Sequence, residues 1–313
     1  MRVSASYKSV NYTLRPAKTI ERKMLVEAIQ RLSVFGQVSS YRYVGFGSIY
    51  YADFKLFHRQ TGIHNMLSIE KNTNEAVRFE FNKPFRCIKI KFGHSDAILP
   101  TLPWNVKTIL WLDYDGSLNK NCLSDIATFC AKCPAGSVLI VTINASFDKT
   151  SGDFFDRFVD AIGKENLPFE ITKKDMQGDG AAKVIRTVII NNIAKTLNGR
   201  NGILTKQNKI NFKQLFNFVY ADGARMVTVG GLLWKNSQAD IIKHDPWLGL
   251  HYIREDEEQY VINAPHLTLR EVQYLESHLP IGASRNIKND PIPESERNQY
   301  EKIYRYYPTF TEF

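Results

Sequence analysis

The feature that most constrains this chain is a series of four strand-like runs between residues 41 and 116, each closing on glycine or an acid. Tyr41-Arg42-Tyr43-Val44 opens into Gly45-Phe46-Gly47-Ser48, and Met66-Leu67-Ser68-Ile69 ends on Glu70. Cys87-Ile88-Lys89-Ile90-Lys91-Phe92 leads to Gly93-His94-Ser95-Asp96-Ala97, and Thr108-Ile109-Leu110-Trp111-Leu112 ends on Asp113-Tyr114-Asp115-Gly116. In a parallel α/β sheet the carboxyl ends of the strands converge on one crevice, where ligands bind. Glycines first and acids afterwards describe a pocket for a nucleoside with a ribose and an amine-bearing base.

Helical stretches separate these runs, at residues 49–60, 75–82 and 118–131. Ser137-Val138-Leu139-Ile140-Val141-Thr142-Ile143 is apolar and β-branched throughout, as a strand buried on both faces must be. Strands alternating with helices of this length predict a right-handed, doubly wound sheet. Further on, the apolar run from Phe216 to Tyr220 reaches Ala221-Asp222-Gly223-Ala224 and is followed by a second run from Met226 to Trp234. Asp-Gly between two such runs is a strong hairpin signal. The expected fold is therefore α/β, with a mostly parallel seven-stranded sheet closed by an antiparallel hairpin. It occupies residues 40–235, between helical additions at 1–39 and 236–313.

In the first addition, residues 1–14 read as extended, and Pro16 starts a helix. Ile20, Met24, Ala28 and Leu32 repeat every four residues, Leu25 and Ile29 widen the stripe, and Gly36 is its stop. Residues 153–162 form an amphipathic helix, whereas residues 185–196 are a second apolar stretch whose type, helix or strand, the sequence leaves open. In the second addition Thr268 and Glu271 have the spacing of a capping box, and residues 294–306 form a polar, aromatic-rich last helix.

With 313 residues and a net charge of +9, the chain is large enough for one sizeable domain with additions and carries a basic excess. That excess suits a polyanion such as RNA or DNA, and equally a well-solvated basic surface. No window approaches the ~20 apolar residues of a membrane span, and the N-terminus lacks the apolar core of a secretory signal. A cytoplasmic protein is expected. Cys130 and Cys133 have the spacing of half a zinc site, but no second pair matches them. Together with Cys87 and Cys122 they read as core cysteines rather than a disulfide framework.

Each strand end carries a candidate role and a plainer alternative. Gly45 and Gly47 let a ligand approach the backbone, and the helix that follows offers free amides. The third glycine of a dinucleotide fingerprint and the lysine of a P-loop are both missing. Glu70 lies where the acid that pairs with ribose hydroxyls falls, or else is an acid at a helix start. Asp96 can accept from an exocyclic amine, or cap the next turn. Asp113 and Asp115 flank Tyr114 where a reacting group would sit; they can orient a nucleophile, act as base, or hold a divalent metal with Asn144. Arg15, Lys18 and Arg22 put positive charge at a helix N-terminus, which a bound anion or solvent can compensate.

Together these residues resemble the class I S-adenosylmethionine-dependent methyltransferases. Gly45-Phe46-Gly47-Ser48 is similar to the first motif, Glu70 to the ribose acid, His94-Ser95-Asp96-Ala97 to the adenine motif, and Leu112-Asp113-Tyr114-Asp115 to the fourth. The hairpin resembles the family's sixth and seventh strands. A glycine loop followed by Tyr50-Tyr51-Ala52-Asp53-Phe54 is similar to bacterial proteins described as O-methyltransferases. The resemblance implies a Rossmann-like domain that binds S-adenosylmethionine through Gly45, Phe46, Gly47, Ser48, Glu70, Lys71, Ser95, Asp96 and Ala97. It places Asp113, Tyr114 and Asp115 at the chemistry, and Arg15, Lys18, Arg22 and Asp53 toward an anionic substrate, with RNA or DNA among the candidates. Tyr43 departs from the pattern, since an acid usually stands there. Ile143 departs too, replacing the second acid of the magnesium-dependent enzymes, so no metal is assigned. The main expectation is methyl transfer to oxygen or nitrogen. The alternative is a methyltransferase-like binding subunit that recognises a nucleoside or nucleic acid without turnover.

Overall fold

The computed structural model describes residues 15–147, 153–178, 180–280 and 291–308; the extended stretch expected at 1–14 lies outside them. Eight strands form one sheet in the order β3-β2-β1-β4-β5-β7-β6-β8. Five are parallel: β1 (Arg42–Gly45), β2 (Asn65–Glu70), β3 (Ile88–Phe92), β4 (Thr108–Asp113) and β5 (Val138–Asn144). The hairpin of β6 (Ile210–Asp222) and β7 (Ala224–Lys235) follows, with β7 antiparallel to both β5 and β6. Gly223 supplies the positive φ that its turn requires (101°).

The eighth strand is the departure from the expected seven. β8 (Tyr260–Ile262) runs parallel to β6 and comes from the C-terminal addition. At three residues, with Val261 half exposed, it gives too little alternation to register as a strand in the sequence.

Helices cover both faces. Against one lie α1 (Pro16–Gln30) and α2 (Ala52–Thr61), whose Met24, Leu25 and Phe57 pack with Tyr43, Trp111 and Phe218 of the sheet. α3 (Ala76–Phe81) is short and amphipathic, burying Phe79 while Val77 and Phe81 stay exposed. The other face carries α4 (Ser95–Ile98), α5 (Lys120–Lys132), α6 (Phe154–Ile162) and α7 (Gly180–Asn201) over Val44, Leu110 and Val141. The stretch of open type is thus α7, on which Ala181, Ile185, Ile189, Ile193 and Leu197 recur every four residues along a buried stripe. Cys122, Cys130 and Cys133 are free and buried in this layer.

The C-terminal addition, with α8 (Ala239–Lys243), α9 (Leu269–Glu276) and α10 (Glu294–Ile303), closes over α1. Trp247 donates its indole N–H to the Ala28 carbonyl (3.0 Å), and the Tyr252 hydroxyl donates to that of Met24 (2.9 Å). α1 is therefore held between the sheet and the addition, which explains why even Lys18, Glu21 and Arg22 are buried. Thr268 and Glu271 form the expected capping box at α9.

α1 begins on Pro16 and has no cap of its own from Arg15. Its cap comes from the hairpin turn: the backbone amides of Ala17 and Lys18 donate to Asp222 Oδ1 and Oδ2 (3.1 and 2.8 Å). A carboxylate there also compensates the cations of the first turn. Asp222→Ala is expected to lower folding stability by about 1–2 kcal/mol, the range for a lost N-cap. A urea denaturation midpoint equal to that of the parent protein would refute the capping role.

Candidate active site

Sheet register places the acids. Gly45, the last residue of β1, pairs with Ser68 of β2 and Trp111 of β4. Glu70 and Asp113 therefore lie two residues further along the flanking strands, on the same face, since side chains alternate. They rise on either side of the glycine loop, on the face that α1 and α2 cover.

The loop is tightly built. A Cβ on Gly47 would stand 2.6 Å from the Tyr51 ring and 2.8 Å from Ser68 Oγ, so only glycine fits. Ser48 and Tyr51 both hold left-handed backbone (φ 47° and 48°), a conformation costly for such residues and common near functional sites. Tyr51 in that state delays the start of α2 to Ala52, three residues beyond expectation, and puts Asp53 in its first turn.

Glu70 is buried and accepts from Ser68 Oγ (2.8 Å), which itself accepts from the Gly47 amide (3.0 Å). Burial, with the Asp53 charge adding to it, pushes the Glu70 carboxyl up to about 7, against hydrogen bonds from Ser68 and the Gly47 and Ser48 amides. Tyr43 stands where the resemblance anticipates an acid, and its hydroxyl donates to Asp53 Oδ2 at 2.5 Å. The position is occupied by a tyrosine that carries a carboxylate on its tip. Burial raises the Asp53 carboxyl above its usual range, and the Arg22 charge pulls it back.

Asp113 is a quarter exposed and gives Oδ1 to the Lys18 ammonium at 2.7 Å. Lys18 itself is 1% exposed. Its other contacts are Glu21 (2.8 Å) and the Tyr220 hydroxyl (3.0 Å), and it lies 4.6 Å from the centre of the Trp111 ring. Two of its donors make hydrogen bonds, to Asp113 and Tyr220, and its charge is paired with both Glu21 and Asp113. From Glu21 the chain of bonds runs to the Thr228 hydroxyl, then to Thr142 (2.8 Å) and the Trp111 indole (3.0 Å).

The expected cations thus divide. Arg15 lies 3.9 Å from Asp222, Lys18 is spent on the buried network, and Arg22 is buried beneath the site. None of the three forms an open basic surface at the helix start. Glu21, Thr142, Tyr220 and Thr228 have no counterpart among the expected site residues. The signal was present in α1: the stripe of Leu25 and Ile29, continued one and two turns back, lands on Lys18, Glu21 and Arg22.

The remaining residues form the other wall. Tyr114 donates its hydroxyl to Asp125 (2.6 Å) and packs edge-on to Phe46, ring centres 5.3 Å apart. Burial raises the Asp125 carboxyl above its usual range, and nearby Ser95 and Tyr114 pull it back. Asp96 sits half-buried in α4, while Lys71, Ala97 and Asp115 are exposed. Asn144 accepts from the Ser146 amide (2.8 Å) and points its amide at the Asp115 carbonyl. Asn144 and Asp113 Oδ1 are thus both engaged within the protein. Beyond β5 a cavity of about 290 Å³ is lined by Ser146, Phe147, Met176 and Arg225, among others. At the opposite end of the sheet His58, His64 and Cys87 offer ligand atoms up to 4.8 Å apart, wider than the ~3.5 Å edge of a tetrahedral site.

The strand order and the two flanking layers define a Rossmann-like fold of the methyltransferase type. Residues 10–313 match the family model described as "Putative O-methyltransferase", and the chain belongs to that family. No curated protein matches the sequence. Among solved structures, cofactor-bound Rv0187 from MTB is 13% identical, with 67% of this chain and 80% of that one covered and a TM-score of 0.37. A putative O-methyltransferase from Klebsiella pneumoniae is 12% identical (69% and 88% covered, TM-score 0.37). TomG, an O-methyltransferase from Streptomyces achromogenes in complex with SAM, is 12% identical (66% and 79% covered, TM-score 0.36). These likenesses are distant, and the fold stands on the strand order itself. No helix among the described residues is long and apolar enough to cross a membrane.

Lys18→Met would leave Glu21 and Asp113 facing each other without a cation. Loss of one partner from a buried ion pair costs about 3–5 kcal/mol, and Lys18→Met is expected to fall in that range by urea denaturation. Adding Glu21→Gln should recover part of it. A Lys18→Met protein as stable as the parent would show the network to be dispensable.

Proposed function

We propose that the protein transfers a methyl group from S-adenosylmethionine to a hydroxyl oxygen of an acceptor lying over Asp113. The observation that carries this reading is the paired placement of Glu70 and Asp113 two residues beyond Gly45 on either side of the loop. The residues present fit the cofactor: a buried carboxylate for two ribose hydroxyls, a loop where only glycine leaves room, and aromatic walls at Phe46 and Tyr114.

S-adenosylmethionine, when bound, supplies a methyl group activated by the neighbouring sulfonium. Glu70 accepts the ribose hydroxyl protons and so fixes the nucleoside. Ser95, Asp96 and Ala97 edge the base, with Asp96 accepting from its exocyclic amine. Asp113 Oδ1 is pinned by Lys18, while Oδ2 has no hydrogen bond from the protein among the described residues. That free oxygen would take the acceptor hydroxyl's proton, while the methyl group would pass from the sulfonium to the acceptor oxygen and leave a neutral thioether behind. Most of the rate enhancement comes from alignment, with proton acceptance adding about 10²–10⁴-fold.

Asp113→Asn should lower turnover by about a hundredfold or more while leaving S-adenosylmethionine affinity within a factor of about two. Full activity in that variant would exclude proton acceptance there. Glu70 gives a separate, pH-linked test. Its carboxyl is raised to about 7 in the free protein, and only the ionised form accepts from both ribose hydroxyls with both oxygens, so binding favours loss of the proton. Affinity measured by calorimetry should therefore rise between pH 6 and 8, and Glu70→Gln should bind more weakly with that rise absent. A pH-independent affinity in the parent protein would remove Glu70 from the ribose.

A further inference from the structure

Arg22 is 6% exposed, and no hydrogen bond or ion pair engages its guanidinium among the described residues; Nε is buried without any partner. A buried, unpaired guanidinium is costly unless an anion meets it. Its charged neighbour is Asp53, close enough to feel its field yet not joined to it. Asp53 is itself 9% exposed and is held by Tyr43 at 2.5 Å through one oxygen, Oδ2. The pair thus offers one cation without a protein partner and one carboxylate with acceptor capacity to spare, the latter bonded to the Tyr43 hydroxyl that lies against Gly45.

We infer that Arg22 and Asp53 form a subsite for the zwitterionic amino-acid end of S-adenosylmethionine. Arg22 donates to its carboxylate, and Asp53 accepts from its ammonium. The inference rests on S-adenosylmethionine being the cofactor and adds the residues that select it over nucleosides lacking an amino acid. The chemistry matches in sign and in order. A phosphate would be met by Arg22 but repelled by Asp53, and a simple amine would leave Arg22 unpaired. Tyr43 then has a function that an acid at its own position would not: it reaches across to orient the carboxylate that α2 supplies. Lys18, one turn earlier in α1, is already engaged by Asp113, Glu21 and Tyr220, so Arg22 is the cation left for this part.

The test is calorimetry with three ligands on the full chain: S-adenosylmethionine, its decarboxylated form, and methylthioadenosine, which lacks the amino-acid end. Arg22→Met should weaken S-adenosylmethionine by about tenfold or more, as for a lost bond to a charged group, and leave the other two unchanged. Asp53→Asn should weaken S-adenosylmethionine and the decarboxylated form but not methylthioadenosine. Equal losses for all three ligands would overturn the subsite and make Arg22 a structural residue. If the parent protein binds none of the three, the cofactor assignment fails; if it binds them and the variants do not discriminate, the subsite alone fails.

Discussion

One buried ammonium organises this molecule. Lys18 lies beneath the end of β4 with two carboxylates, a phenol and an indole face around it. Taking such a charge out of water costs several kcal/mol, and the attraction repays it only when every donor is matched. The match draws on β4, β6 and α1 at once, so the helix can sit in one place only. Through Glu21 and Thr228 the constraint spreads to β7, and through Thr142 and Trp111 it returns to β5 and β4. An apolar contact of the same size would hold the helix as firmly and would tolerate sliding by a turn. The charge fixes register.

The crevice that results is lined by alternating signs rather than by one. Glu70, Asp53 and Asp113 face it as carboxylates, and Arg22 and Lys18 lie below. Their burial explains why a chain with a surplus of nine positive charges places little of it at this mouth. Basic residues at the start of a helix look like a landing strip for a polyanion when only the sequence is in view. In the folded protein the same residues complete the floor of the site.

The parts of the architecture visible in the sequence were those written by local rules. Four strand ends, the Asp222-Gly223 turn and the Thr268–Glu271 box each depend on neighbours within a few residues. What escaped depends on distant ones. β8 is a strand only because β6 has an open edge, and α7 could not be told from a strand while its β-branched residues hid the four-residue spacing. The sequence places Asp53 toward a substrate, but its bond to Tyr43 appears only once Tyr51 has turned left-handed and delayed the helix. Tyr43 alone suggests a lost motif residue, whereas Tyr43 with Asp53 is a carboxylate supplied from another element.

The cap on α1 carries a temporal consequence. Asp222 is 205 residues from the amide of Ala17 that it receives, and Tyr252 and Trp247 lie further still. α1 is thus synthesised well before the residues of the second half of the chain that supply its N-terminal cap and its outer cover. At ~5–20 residues per second that interval is on the order of 10–40 seconds. Throughout it, Lys18, Glu21 and Arg22 remain hydrated, and the helix lacks both its cap and its cover. Its polar residues, a burden in the finished core, keep this early segment soluble while it waits.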